Sequence, residues 1–307
     1  MSLLSLIAVF FIEQFRPLDY RRVVAEPVGA WADLIEANFN AGARRHGVIA
    51  WGIAVGLPVL AVGFLYWLLY SINPLLGWLL NVGVLYLTMG FRQFSHHYTE
   101  IQAALADGEL DRARHLLAEW QGGATAHLGS GDVARLAIEG ALAASHRHVF
   151  AVLLWFVLLP GPCGALLYRL AAIVRERWGR ADATGQTEFS AFAQRLFGII
   201  DWLPLRATAA AFAIVGDFED AVHCWRTQPA QWPDKDLGIV LAAGAGALGV
   251  LLGNPVADGL EIADRAELGL GDPADADFMQ SAVGLVWRAT VLWMLLLFLL
   301  GLATLVG

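Results

Sequence analysis

Three short runs of this chain hold side chains able to bind or move charge. Arg92, His96 and His97 follow an apolar stretch, and Arg92 and His96, four residues apart, share a helix face. A guanidinium beside an imidazole suits a phosphate or carboxylate at a membrane surface. The same residues also suit a basic anchor with two solvated histidines. In Asp201-Trp202-Leu203-Pro204-Leu205-Arg206 an acid and a base sit inside an apolar stretch. Ionisable groups at membrane depth are costly and face a partner or a cavity. This pair therefore reads either as a polar site between helices or as a structural ion pair at a proline-marked helix start, where an acid is favourable. Ser145-His146-Arg147-His148 is the third run. His-x-His can ligate metal from a strand, but on a helix the two rings diverge. No metal site is expected, and no P-loop, nucleophile elbow or dinucleotide fingerprint is present.

The elements that must position these residues are those of a membrane protein. The chain of 307 residues is 58% hydrophobic and 16% charged, with a mean hydropathy of +0.57 and 12 Trp. Soluble domains average nearer a quarter charged. A net charge of -8 argues against a nucleic-acid partner, which needs a basic face. Cys163 and Cys224 build no disulfide framework and read as buried thiols. The partner implied throughout is the lipid bilayer, and no oligomeric state is specified.

Residues 285–306 are long and apolar enough to cross a bilayer core, as are 48–72 and 74–91, which Asn73-Pro74 separates into an antiparallel pair. Residues 1–12 form a shorter apolar segment without a basic start or a cleavage site, so a helix tucked against the bundle or lying at the interface is expected rather than a signal peptide. Residues 149–174 have the length of a span, but Pro160-Gly161-Pro162-Cys163-Gly164 cuts them in the middle, which predicts a re-entrant hairpin. Arginines flank these segments on one side, and the positive-inside rule places that side in the cytoplasm. Residues 92–148 become a cytoplasmic helical insertion, with amphipathic helices interrupted at Asp107-Gly108. Residues 237–253 are rich in Ala and Gly and read as a buried helix or a tightly packed short span. With no strand patterning and no repeat, the expected fold is all-α: a polytopic membrane helix bundle with a re-entrant hairpin and cytoplasmic amphipathic helices, forming one integral-membrane domain over 1–307.

Several runs resemble the CobD/CbiB superfamily of membrane proteins: IEQF at Ile12–Phe15, LTMGFRQFSHHYTEIQAAL at Leu87–Leu105, the long run from Ala137 to Arg169, and above all DWLPLRATAAAFAIVGDFEDAVHCWR at Asp201–Arg226. The Asp-Trp-x-Pro-x-Arg run and the apolar C-terminal helix look closest to the AmpE-like branch. The resemblance implies a multi-pass protein of the bacterial inner membrane. For CobD/CbiB enzymes it implies ATP-dependent ligation of an aminopropanol unit to a corrinoid carboxyl. Of that family's acids in the central run, Glu139 matches, whereas Ala143, Ala144 and Arg147 stand where others are expected. Gly122-Gly123-Ala124-Thr125 and Ala171–Val174 also depart from the pattern. These departures favour a non-catalytic ligand-binding or signalling and accessory protein, related to β-lactamase induction and the cell wall. The alternative is an adenosylcobinamide-phosphate synthase-like amide ligase, and only that alternative calls for ATP, magnesium and a corrinoid. Arg92, His96, His97, Glu139, His146, Asp201 and Arg206 are the expected ligand-binding residues, for an anionic small molecule.

Overall fold

The computed structural model describes residues 2–16, 18–40, 42–179, 188–253, 256–258, 261–263 and 265–306. It is nearly all helix. The order is α1 (Ser2–Phe15), α2 (Glu26–Phe39), α3 (Arg44–Trp51), α4 (Leu57–Ile72), α5 (Pro74–Thr88), α6 (Phe91–Ala106), α7 (Leu110–Gln121), α8 (Ser130–Ser145), α9 (Ala151–Leu158), α10 (Cys163–Gly179), α11 (Glu188–Val215), α12 (Phe218–Thr227) and α13 (Lys235–Leu248). Four short strands follow, β1 (Val250–Leu251), β2 (Val256–Asp258), β3 (Glu261–Ala263) and β4 (Asp272–Pro273), and then α14 (Ala276–Val306). Wide π-helical turns at Gly52–Gly56 and His146–Phe150 carry α3 into α4 and α8 into α9 without a break.

Among the described residues, four helices are long and apolar enough to cross a membrane: Arg44–Ile72, Ser130–Leu158, Glu188–Val215 and Ala276–Ala303. The surfaces of two of them fit lipid contact. Leu57, Leu60 and Phe64 on α4, and Val291, Leu295 and Phe298 on α14, are large apolar side chains left exposed, and lipid is the solvent in which such surface carries no penalty. The chain is a multi-pass membrane protein. The helix expected to begin at 149 begins at Ser130, because the run through His146–Phe150 keeps helical geometry. The stretch holding Asp201 and Arg206 is itself one of the four long helices, with Pro204 in its interior.

The chain gathers into two compact units. The first comprises Met1–Gln93 and Ala151–Leu203, the second Phe94–Phe150 and Pro204–Gly307.

Within the first unit, local chemistry sets the breaks. Asn73 accepts the Leu75 amide at 2.8 Å and Pro74 starts α5, so α4 and α5 are joined by a single residue. Pro160-Gly161-Pro162 turns α9 into α10, with Gly161 at φ 61°. The start of α10 then lies directly on α9: a Cβ on Gly164 would sit 1.8 Å from the Trp155 carbonyl oxygen.

Within the second unit, small residues let helices approach. Every residue of α13 from Gly238 to Ala247 is buried. A Cβ on Gly246 would meet the Asp220 carbonyl oxygen of α12 at 2.5 Å, and one on Gly244 would meet Leu142 of α8 at 2.7 Å. Asp217 and Asp234 cap α12 and α13 by accepting the amides of Asp220 and Leu237. Gly249, left-handed at φ 67°, ends α13.

Gly164→Ala tests the close α9–α10 contact. Overpacking typically costs about 1–3 kcal/mol, and here the obstacle is backbone, so the variant should lose thermal stability, read as a lower melting temperature in detergent.

Candidate functional site

Glu139 is the best-engaged of the expected residues. It lies on α8, buried at 7% exposure. One carboxylate oxygen accepts the backbone N–H of Gly253 at 2.8 Å, and the other is paired with the guanidinium of Arg265. Arg135, one helical turn earlier, adds a second positive charge within electrostatic reach and donates to Asp132 at 2.8 Å. The Arg265 guanidinium also lies over the Trp232 ring, 4.6 Å from its centroid, a cation–π contact.

The partners of Glu139 come from a glycine-rich segment that follows α13. Gly253 has φ 80°, and a Cβ there would sit 2.1 Å from the Ala266 carbonyl oxygen, so the position admits only glycine. Leu252 and Leu268 exchange backbone hydrogen bonds at 2.7 and 2.8 Å, and β1 runs parallel with β4. Gln228 brackets Gly269, accepting its N–H at 2.7 Å and donating to its carbonyl at 3.0 Å. One buried carboxylate thus fixes the chain on both sides of 254–264: Gly253 before it and Arg265 after it. Its two oxygens hold one partner on each side of that segment, which gives Glu139 a positioning part.

His146 lies two turns beyond Glu139 on the same side of the continuous helix and is fully buried, with Nδ1 2.9 Å from the Thr208 hydroxyl. Arg147 reaches Asp234 at 3.9 Å. Arg206, on α11 in this unit, is half-buried. His97 stacks on Trp120 with ring centroids 6.4 Å apart, and exposed His96 lies 3.6 Å from Glu100. Cys224 is buried, and burial together with Asp220 pushes its thiol above the ordinary range, leaving it inert.

The remaining expected residues lie in the first unit. Asp201 is buried and accepts the Tyr168 hydroxyl at 3.0 Å. Arg92 makes a long contact of 3.5 Å with the Gln14 carbonyl. Among the described residues, no three of His, Cys, Asp and Glu gather where they could hold a metal ion.

Sequence reasoning missed Arg265, Gly253 and Trp232. One signal was available for Arg265: it is the single basic residue in the otherwise acidic stretch between Asp258 and Asp277. Glycines at 249, 253, 269 and 271 marked the turn chemistry around it.

A family model described as CobD/Cbib protein matches residues 20–286. The chain belongs to this family. Among its relatives, a protein of Stutzerimonas stutzeri named cobalamin biosynthesis protein CobD is 37% identical over 273 residues, 88% of each chain. A protein of the same name from Chromobacterium violaceum is 37% identical over 220 residues, 72% of this chain and 70% of that one. One from Mycobacterium tuberculosis is 30% identical over 247 residues, 78% of each. No solved structure matches the chain.

These relatives overturn the expectation of a non-catalytic signalling protein tied to β-lactamase induction, because the whole-length likeness is to proteins named for cobalamin biosynthesis. The error lay in counting acids along one run. Glu139 is completed by Gly253 and Arg265, more than a hundred residues away in sequence, and Arg147, standing where an acid was expected, is paired with Asp234.

Breaking the buried pair from one side leaves an uncompensated charge and costs roughly 3–5 kcal/mol. Arg265→Met alone should therefore destabilise the second unit strongly, whereas Arg265→Met with Glu139→Gln should regain part of the loss. Denaturant unfolding of the two variants measures the difference, and equal losses would show that the two side chains do not act as a pair.

Proposed function

We propose that this member of the CobD/CbiB family acts in cobalamin assembly as a membrane-bound amide ligase, joining an aminopropanol unit to a corrinoid carboxyl with ATP as co-substrate. The observation that carries the reading is the 37% identity over 88% of both chains with a relative named cobalamin biosynthesis protein CobD.

The chemistry states what such a site must provide. A carboxylate is a poor electrophile, so ATP first transfers its γ-phosphoryl group to the corrinoid carboxyl, giving an acyl phosphate and ADP. The amine then forms the C–N bond, and phosphate leaves. Both carboxyl and phosphoryl groups are anions, which suits an arginine donor such as Arg206 of the second unit. Magnesium enters this reading with the nucleotide, and no residue is assigned to hold it. Glu139 serves by fixing the 253–265 loop.

In this reading the chain resides in the bacterial inner membrane with its arginine-rich side facing the cytoplasm, where ATP is found.

Purified protein in lipid nanodiscs, given a corrinoid acid, aminopropanol phosphate and MgATP, should release phosphate and form a corrinoid amide only when all three are present. Glu139→Ala should reduce this turnover by at least tenfold, since misplacing positioning groups by about 1 Å costs on the order of 100-fold. ATP hydrolysis that ignores the corrinoid, or no amide product, would remove the ligase reading.

A further inference from the structure

Helix α2 (Glu26–Phe39), in the first unit, presents three different surfaces. Its inner face is packed. Gly29, Ala32 and Ile35 are buried, and Val28 joins a cluster with Tyr20, Val24 and Ile173 of α10. The Trp178 indole of α10 donates to the Ala32 carbonyl at 3.1 Å, and a Cβ on Gly29 would collide with the Arg177 guanidinium. Glu26, Asp33 and Glu36, spaced by seven and three, share one flank. Each has a polar neighbour there: Arg21 at 3.8 Å, Arg177 at 3.1 Å and Asn40 at 3.4 Å. The outer face lies opposite the packed one. Pro27, Ala30, Trp31, Leu34 and Ala37 recur along it at helical spacing, and all are exposed, Leu34 at 55%.

A helix that packs on protein by one face normally shows water a polar face on the other. The outer face of α2 is apolar, so it needs an apolar neighbour. The helix does not itself cross a membrane: its 14 residues rise only about 21 Å against a core of roughly 30 Å. Three acids along its length would also be costly at that depth. An apolar stripe beside a charged flank is the layout of a helix lying in the plane of the interface.

Two observations select lipid as the neighbour. The helix packs against the turn Gly52–Gly56, inside the apolar helix Arg44–Ile72. Ile49 and Leu57, on either side of that turn, are exposed and apolar, so α2 runs beside a helix whose surface already fits lipid. Exposed arginines stand at both ends: Arg21 and Arg22 before α2, Arg44 and Arg45 after it. Guanidinium groups in such positions suit the anionic headgroups of a cytoplasmic leaflet.

We propose that α2 is an interfacial helix lodged in the leaflet on the arginine-rich side, with Trp31 and Leu34 among the acyl chains and its acidic flank toward water. The partner is the phospholipid itself. The inference is independent of the ligase reading, since it requires no substrate.

The native chain in nanodiscs can be irradiated with a phospholipid carrying a diazirine on its acyl chain, a readout that needs no variant to fold. Trypsin then releases α2 in one peptide, Val23–Arg44, and the apolar part of α14 in another, Ala289–Gly307. Both should carry lipid adducts, those of the first centred on Trp31 and Leu34. Adducts on the α14 peptide alone would overturn the proposal. A nitroxide supplies the second measurement, in a chain with Cys163 and Cys224 changed to alanine. At Leu34→Cys it should be relaxed more strongly by oxygen than by a water-soluble nickel chelate, and at Glu26→Cys the order should reverse. Stronger relaxation by the nickel chelate at both positions would overturn the proposal. A label at position 34 shielded from both relaxants and coupled to the label of a second copy would overturn it in favour of a contact between chains.

Discussion

A polar backbone group buried away from water must find a partner, and in an apolar chain with so few charges this constraint falls on a handful of side chains. Arg169 takes the Thr88 carbonyl and Glu13 the Phe91 amide. Trp155 donates to the Ile200 carbonyl, Trp178 to Ala32 and Tyr98 to Met279. Glu139 takes the Gly253 amide. Arg169, Glu13 and Glu139 serve backbone groups where helices begin, end or give way to a turn, whereas Trp178 and Tyr98 tie their helices to carbonyls within α2 and α14.

This constraint also ties architecture to chemistry. A loop rich in left-handed glycines cannot hold its own shape, since glycine has the most conformational freedom to lose. In the second unit, Leu252, Leu268 and Gln228 give the loop backbone bonds, while Glu139 and Arg265 add an ion pair. The pair is shielded from water, so its loss would be felt far more than that of a surface salt bridge. A ligase must hold three reactants in line, and rigid support for its loops is a condition of that alignment.

Much of the framework was legible in sequence. Asn73-Pro74, Asp107-Gly108 and Pro160-Gly161-Pro162 acted as breakers where the chain turns, because their effect on the backbone is local. The all-helical class followed from long apolar runs without alternation. The start of the helix through His146 was not legible, since a π-helical turn has no signature in the run His146–Phe150. The site was half legible. Glu139 stood out as an acid in an apolar helix, but its partners lie 114 and 126 residues on, beyond any local pattern. The functional reading failed for the same reason: the completeness of a site was judged from one run, whereas the site is assembled from several.

The central physical claim is that Glu139 secures the chain on both sides of 254–264. Amide hydrogen exchange at Leu252, Gly253 and Leu268 measures this most directly, with Ala113 of α7 as an internal control. In Glu139→Ala these three amides should exchange at least about tenfold faster than in the native protein, which corresponds to a local loss of about 1.4 kcal/mol, while Ala113 should not change. Unchanged protection at Leu252, Gly253 and Leu268 would contradict the account.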